Sequence, residues 1–260
     1  MQDWKNICNF AKTFVMPKLR LLLPAMVLCV LAVGCGAYNP VCTDIPLISQ
    51  RGELQAEGAI LPGGNNYRSS PLMMRGSLVY GFANHFAAGI SADPFRHYGQ
   101  LTAGTFFAPT DKFVWEMYAG YGLGNGELYR DHYPGESDYS SYQMHFVQLN
   151  AGWLNLTRVL HLDIAFSLKA GGIFVETDFG DGTEYSDEIG WYRRFHYANG
   201  YRFMLEPTAE ARFGWEHFKF NVKLGFTYVF NNTGNHYVLP YSSPAVGAGV
   251  SLCFAPCKNN

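Results

Sequence analysis

Leu160 to Phe174, LHLDIAFSLKAGGIF, decides the fold. Leu160, Leu162, Ile164, Phe166, Leu168 and Ala170 interleave with His161, Asp163, Ala165, Ser167, Lys169 and Gly171. Period 2 is the signature of a β-strand whose two faces meet different surroundings, one apolar and one polar. Two further stretches repeat the pattern. Phe218, Phe220, Val222, Leu224, Phe226 and Tyr228 alternate with Lys219, Asn221, Lys223, Gly225 and Thr227; Leu205, Pro207, Ala209, Ala211, Phe213 and Trp215 alternate with Glu206, Thr208, Glu210, Arg212 and Gly214. Soluble strands run to about 5–6 residues, whereas a tilted strand needs roughly 9–11 to cross a bilayer. These runs have the second length.

Composition agrees. Charged residues make up 15% of the 260 residues, against roughly 25% in an average soluble domain, and aromatics reach 16% with 28 glycines. Yet the mean hydropathy is −0.07. A helical membrane bundle, which needs repeated apolar stretches of about 20 residues, is thereby excluded. A chain rich in aromatics and poor in charge is not disordered either. With a net charge of −2 and no basic block, nucleic acid is not an expected partner.

The period-2 runs predict about ten strands, at 53–61, 72–83, 86–93, 99–108, 113–124, 142–154, 160–176, 202–215, 218–230 and 244–254. Short connections follow the even strands. The longer ones, 62–71, 125–141, 177–201 and 231–243, follow odd strands, with 94–98 short. Outer-membrane barrels pair short periplasmic turns with longer external loops. The predicted fold is therefore all-β, an antiparallel up-and-down transmembrane β-barrel over 53–254, with 255–260 as a tail. Trp115, Trp153 and Trp215 stand at the turn ends of their strands on the apolar face, as an aromatic girdle requires. In 142–154 the outward series Val147, Leu149, Ala151 and Trp153 runs back into His145 and Gln143, and a β-bulge resetting the phase is expected there.

Ahead of the barrel, Lys18 and Arg20 precede an apolar run from Leu21 to Val33, closed by Gly34 and Cys35. A basic start, a short apolar core and a small residue describe an export signal over 1–34, with Met16 as an alternative start. LAVGC fits a lipobox, which makes Cys35 the lipidated residue and 35–52 a periplasmic segment. Of the other cysteines of the mature chain, Cys42 and Cys257 are the candidate disulfide pair, with free thiols as the alternative.

The chain resembles the small lipoprotein-type outer-membrane β-barrel proteins of Gram-negative bacteria. The resemblance rests on the Cys35 segment, on Pro46 to Ala56 (PLISQRGELQA), on Phe146 to Asn150 (FVQLN) and on Leu205-Glu206-Pro207; separately, the last strand, ending GVSLCF at Phe254, resembles the C-terminal assembly signal of outer-membrane barrels. It implies an outer-membrane location with a lipid-anchored, periplasmic N-terminus. It implies no chemistry.

Alternation also names the residues that point inward. The acids are Glu57, Asp93, Glu116, Asp163, Glu206 and Glu210; the bases are Arg75, Lys169, Arg212, Lys219 and Lys223. In a barrel of about ten strands these near-balanced charges have little room for solvent and are expected to pair, closing the interior. Recognition then falls to loops 125–141 and 177–201. Tyr129, Tyr133, Trp191 and Tyr192 offer an aromatic surface, with Arg193 and Arg194 beside it. Asp178, Asp181, Glu184, Asp187 and Glu188 have the chemistry to hold Ca²⁺, though not the spacing of an EF-hand. A calcium bridge to lipopolysaccharide phosphates and a hydrated acidic loop both remain open.

The reading is a structural or surface-binding component without cofactor. Its partners are outer-membrane lipid, lipopolysaccharide and a larger outer-membrane complex. Two alternatives stand. One is an omptin-like or lipid-modifying hydrolase, for which Asp131 with His132, His161 with Asp163, and His196 are the candidates. The other is a narrow channel or small-ligand carrier.

Overall fold

A computed structural model describes residues 43–62, 72–93, 98–129, 137–157, 159–186, 190–197, 200–230 and 243–255. Eleven antiparallel strands and no helix occur among them. They are β1 (Leu54–Pro62), β2 (Leu72–Gly81), β3 (Phe86–Asp93), β4 (Tyr98–Thr110), β5 (Phe113–Tyr129), β6 (Ser137–Trp153), β7 (Asp163–Ser186), β8 (Gly190–Tyr197), β9 (Gly200–Gly214), β10 (Phe218–Phe230) and β11 (Ser243–Phe254). Each pairs with the next in sequence, except that among the described residues β8 pairs with β7 alone and β7 pairs with β9 past it. The last strand returns to the first, with Leu54 opposite Phe254 and Ile60 opposite Ala248. Ten strands thus close an up-and-down barrel, which leaves no open edge to recruit another chain.

Alternation is inverted relative to a soluble protein. Along β10, Lys219, Asn221, Lys223, Gly225 and Thr227 are buried, while Phe220, Leu224, Phe226 and Tyr228 face outward. Leu101, Ile90, Leu149, Phe166 and Phe203 continue the exposed apolar belt around the barrel. At the turn end the belt becomes aromatic. Phe107 meets Trp115, Phe113 meets Trp153, Trp153 meets Phe166, and Trp215 meets Phe218, with centroids 5.2–6.4 Å apart.

Three expectations need correction. The segment 177–201 is not a loop: β7 runs on to Ser186 and pairs with β8, with one irregularity between Gly180 and Gly182. Most of 125–141 is likewise paired, out to Tyr129 opposite Ser137. Pairing satisfies backbone groups that a loop would leave to water, and the Gly-rich, aromatic sequence tolerates it. Second, β6 carries no bulge, because its register is unbroken against both β5 and β7. His145 and Gln143 simply face outward, where the Tyr201 hydroxyl lies 2.8 Å from His145 Nε2 and the Tyr121 hydroxyl donates to Gln143 Oε1 at 2.9 Å. Their inward counterparts Tyr142, Met144 and Phe146 form an apolar cluster with Ile173, Met204 and Val229. Along the upper part of β6 polarity changes sides; phase does not. Third, β7 starts at Asp163, so Leu160 and His161 belong to the preceding turn, in which His161 has φ 41°.

Candidate functional site

All eleven charged residues of the inner faces are buried. Adjacent strands put opposite charges within reach by register alone. Lys169 stands opposite Glu206 in the β7–β9 ladder and bonds it at 2.9 Å. Glu206 also accepts from Thr227 Oγ1 at 2.7 Å, and the Lys169 ammonium lies 4.3 Å from the Phe146 ring centre. Lower down, Lys219 reaches Asp163 at 2.6 Å and Arg212 reaches Glu210 at 2.7 Å. Lys223 bonds Glu57 and lies 3.8 Å from Glu210. Desolvated charges persist only when paired this way, since an isolated buried ion is worth several kcal/mol of penalty.

The wall does not close the lumen by itself. Residues Thr43 to Ile48 are buried inside the barrel, and they make the contacts that finish the network. Asp44 bonds Arg75 at 2.7 Å, accepts from Ser91 Oγ at 2.7 Å and lies 3.6 Å from Lys223. The backbone of this plug is used as fully as its side chains. Gln148 donates to the Asp44 carbonyl at 2.8 Å, Arg212 to the carbonyls of Ile45 and Pro46, and Lys223 to that of Thr43 at 3.5 Å. Glu116, which has no base among its neighbours here, accepts from Ile48 N at 2.7 Å, Asn150 Nδ2 at 2.8 Å and the Tyr118 hydroxyl at 3.0 Å. An extended peptide carries unpaired N–H and C=O groups into the lumen, and the wall meets them with side chains.

Below the charge layer the plug is apolar. Ile45 and Leu47 pack with Ala165 and Leu154; Ile48 packs with Val79, Ala87, Phe106 and Tyr118. Burying three such side chains contributes about 1.5–3 kcal/mol each. Two wall glycines make the room. A Cβ on Gly152 would stand 2.5 Å from Leu47 Cδ2, and one on Gly81 would stand 2.8 Å from the Gln50 carbonyl oxygen. Leu47 itself has φ 59°, a left-handed conformation unusual for a non-glycine residue, held because its side chain is locked against Gly152. The plug joins β1 through a tight turn at Gln50 to Glu53. There Glu53 Oε2 accepts from Ser49 N and Oγ, both at 2.8 Å, and Gly52 with φ 82° donates to the Gly81 carbonyl at 2.6 Å.

No family model matches this chain, and no curated protein matches it. Among solved structures, Neisserial surface protein A (NspA) aligns at TM-score 0.35 and 12% identity, over 78% of this chain and 96% of that one. Ail, the attachment invasion locus protein of Yersinia pestis, aligns at 0.31 and 11%, over 79% and 100%. The translocator domain of the autotransporter NalP from Neisseria meningitidis aligns at 0.35 and 11%, over 78% and 86%. Likeness this distant carries no role over to the chain.

Of the segment 35–52, expected on the periplasmic side, Thr43 to Ile48 are buried inside the barrel and Ser49 to Gly52 form the turn into β1. Sequence reasoning missed the plug because six residues inside a barrel need no periodicity. The available signal was the apolar Ile45-Pro46-Leu47-Ile48 standing before β1 without a strand to belong to. Tyr129 ends β5; Trp191, Tyr192, Arg193 and Arg194 lie on β8, opposite Tyr185, Glu184, Thr183 and Gly182. Asp178, Asp181 and Glu184 lie on β7 of the same hairpin, while Tyr133, Asp187 and Glu188 fall outside the described residues. His161 and Asp163 are not brought together as a pair. His161 Nδ1 is 3.2 Å from Asn155 Oδ1, and Asp163 is engaged by Lys219 and by the backbone N–H of Asn155 at 2.9 Å. His196 is on β8 opposite Phe179; Asp131 and His132 lie outside the described residues. Cys253 is a free thiol that donates to Glu53 Oε1 at 3.2 Å. A Cys42–Cys257 bridge falls outside the described residues.

Proposed function

We propose that this protein is an outer-membrane barrel of the exported lipoprotein type, acylated at Cys35. On this reading it is closed by its own N-terminal segment and acts as a structural or surface-binding component. One observation carries the reading: a charged, hydrogen-bonded interior enclosed by an exposed apolar belt with an aromatic rim at the turn end. In water such an exterior would drive aggregation, whereas in a bilayer it is the stable surface. The plug and the ion pairs leave solute transport without a path. Binding then falls to the loop end, where the β5–β6 and β7–β8 hairpins continue well beyond the length a membrane crossing needs. The aromatics and arginines of β8 suit lipopolysaccharide headgroups, whose phosphates and sugars take bidentate arginine and stacking contacts, while the acids of β7 suit those phosphates through a bridging Ca²⁺.

The test is fractionation with gel mobility. The protein is expected in outer-membrane fractions and to migrate differently before and after heating, and mass spectrometry is expected to find diacylglycerol on Cys35. Recovery in the soluble fraction without a heat shift refutes the barrel-in-membrane reading. A porin-like conductance in planar bilayers refutes the closed interior. Removal of the β7–β8 hairpin is expected to weaken binding to lipopolysaccharide while leaving the heat shift intact.

A further inference from the structure

The apolar outer face of β6 is interrupted near its loop-side edge. From Trp153 at the turn end the outward series runs through Ala151, Leu149 and Val147, and then presents His145 and Gln143, both exposed. His145 lies eight residues from Trp153 and Gln143 ten, which at ~3.3 Å per residue and a tilt near ~40° is about 20–25 Å of barrel height. A lipid-facing band is about 25 Å tall, so both side chains stand at its far margin. The neighbouring strands agree. His145 is in register with exposed Leu101, Tyr121 and Phe203, and Gln143 with exposed Leu123, Phe174 and Tyr201. One outward position further up stand Ser141 and exposed Glu176; one further down stand Ala119, Val147, Ala170 and Leu205. Two polar side chains therefore sit on the lipid-facing wall where apolar rows give way to polar ones.

Two tyrosines hold them. Tyr201 reaches diagonally from β9 across Gly172, stacking on the His145 ring at 5.4 Å with its hydroxyl 2.8 Å from Nε2. Gly172 permits the crossing, since a Cβ there would collide with the Tyr201 hydroxyl. On the other side the Tyr121 hydroxyl lies 2.9 Å from Gln143 Oε1. Whichever way each proton points, an imidazole with a phenol, or a carboxamide with a phenol, keeps a free N–H or O–H donor. Such donors are costly against hydrocarbon unless they meet an acceptor. The acceptors at this depth are the carbonyl oxygens that link acyl chains to a lipid headgroup. Glu176 just above repels a phosphate from the same place.

We propose that Tyr121, Gln143, His145 and Tyr201 form a site on the outer wall of the barrel for the lipid A part of lipopolysaccharide. The site takes the carbonyl oxygens of its ester- and amide-linked acyl chains, and the chains lie along Ala119, Val147 and Ala170 below. Residues two apart on one face of a strand put the His145 and Gln143 donors about 7 Å from one another. Lipid A spreads its acyl carbonyls over two sugars and can meet both donors, whereas a phospholipid carries its two on adjacent carbons of one glycerol. The two alanines flanking Val147 leave shallow tracks for chains to pack in. This assignment rests on the outer-membrane reading, which puts the loop half of the barrel in the leaflet that holds lipopolysaccharide.

The test uses the full chain, purified in micelles and keeping its heat shift, titrated separately with lipid A and with phosphatidylethanolamine while native mass spectrometry counts bound lipid. Gln143→Leu combined with His145→Leu removes the donors and extends the apolar belt, so the barrel is expected to keep its heat shift. Its affinity for lipid A is expected to fall about tenfold, the loss of two ordinary hydrogen bonds, with phosphatidylethanolamine unaffected. Tyr201→Phe keeps the ring but releases His145, and is expected to give a smaller loss of the same selectivity. Lipid A binding by the double variant equal to that of the unsubstituted protein overturns the site. Equal losses for both lipids overturn its assignment to lipid A. Binding in micelles is read without regard to location, so recovery of the protein from a soluble cell fraction refutes the outer-membrane reading, and unchanged binding refutes this site alone.

Discussion

Replacing Asp44 by Ala removes the one carboxylate that the plug contributes to the lumen. Its Oδ2 bonds Arg75 at 2.7 Å and accepts from Ser91 at 2.7 Å, while Oδ1 lies 3.6 Å from Lys223. Deletion of one partner from a buried ion pair typically destabilises by about 3–5 kcal/mol, because the remaining charge stays desolvated. Lys223 keeps Glu57, and the network as a whole becomes more positive by one charge, so the lower half of that range, about 3 kcal/mol, is the expected loss. Asp44→Asn, which retains an acceptor for Ser91, should lose less, by about the 1 kcal/mol of an ordinary hydrogen bond. Reversible urea unfolding of the barrel in micelles, followed through Trp115, Trp153 and Trp215 emission, measures both. Because the lost contacts hold the plug and not the wall, brief channel openings should appear in bilayer recordings of Asp44→Ala. A loss below about 1 kcal/mol with silent recordings would refute the idea that Asp44 fastens the plug, since that is the size of an exposed ion pair.

Other substitutions separate plug, wall and belt. Gly152→Leu fills the recess that Leu47 occupies and should raise conductance while preserving the heat shift. Lys169→Met should destabilise by about 3–5 kcal/mol, and adding Glu206→Leu should recover most of that loss, because the pair is buried and strands one charge when broken. Leu149→Arg, on the outer face between exposed Met117 and Leu168, should lower stability by about 2–4 kcal/mol in lipid. Gly172→Ala puts a Cβ into the Tyr201 ring where it crosses to His145. It should lower the thermal midpoint, and the loss should shrink in a Tyr201→Ala background if that contact is the cause.

Lys169 and Glu206 illustrate how much could be read from residues alone. Each lies in a period-2 run, so the face it takes follows from its position, and both proved to be inside. Met144 and Phe146 illustrate the limit. They sit in an equally regular run whose polarity is exchanged, and alternation cannot say which series points in. His145 lies in register with the exposed Leu101, Tyr121 and Phe203, so the exchange is a property of β6 and not of its neighbours.

The hairpin of β7 and β8 was illegible for a different reason. Acids and glycines in 177–190 read as a loop, and only backbone pairing across Asp178 to Ser186 turns them into strand. Thr43 to Ile48 was the least legible. Nothing local distinguishes an extended segment in water from one in a lumen. Local sequence determined the ten strands of the barrel wall and, outside the upper part of β6, which face of each points in, because side-chain alternation is a property of each strand. Tertiary structure alone decided that the ring is filled by its own N-terminal segment, because that requires Gly81, Gly152, Asp44, Arg75 and Glu116, distant in sequence, to meet in one space.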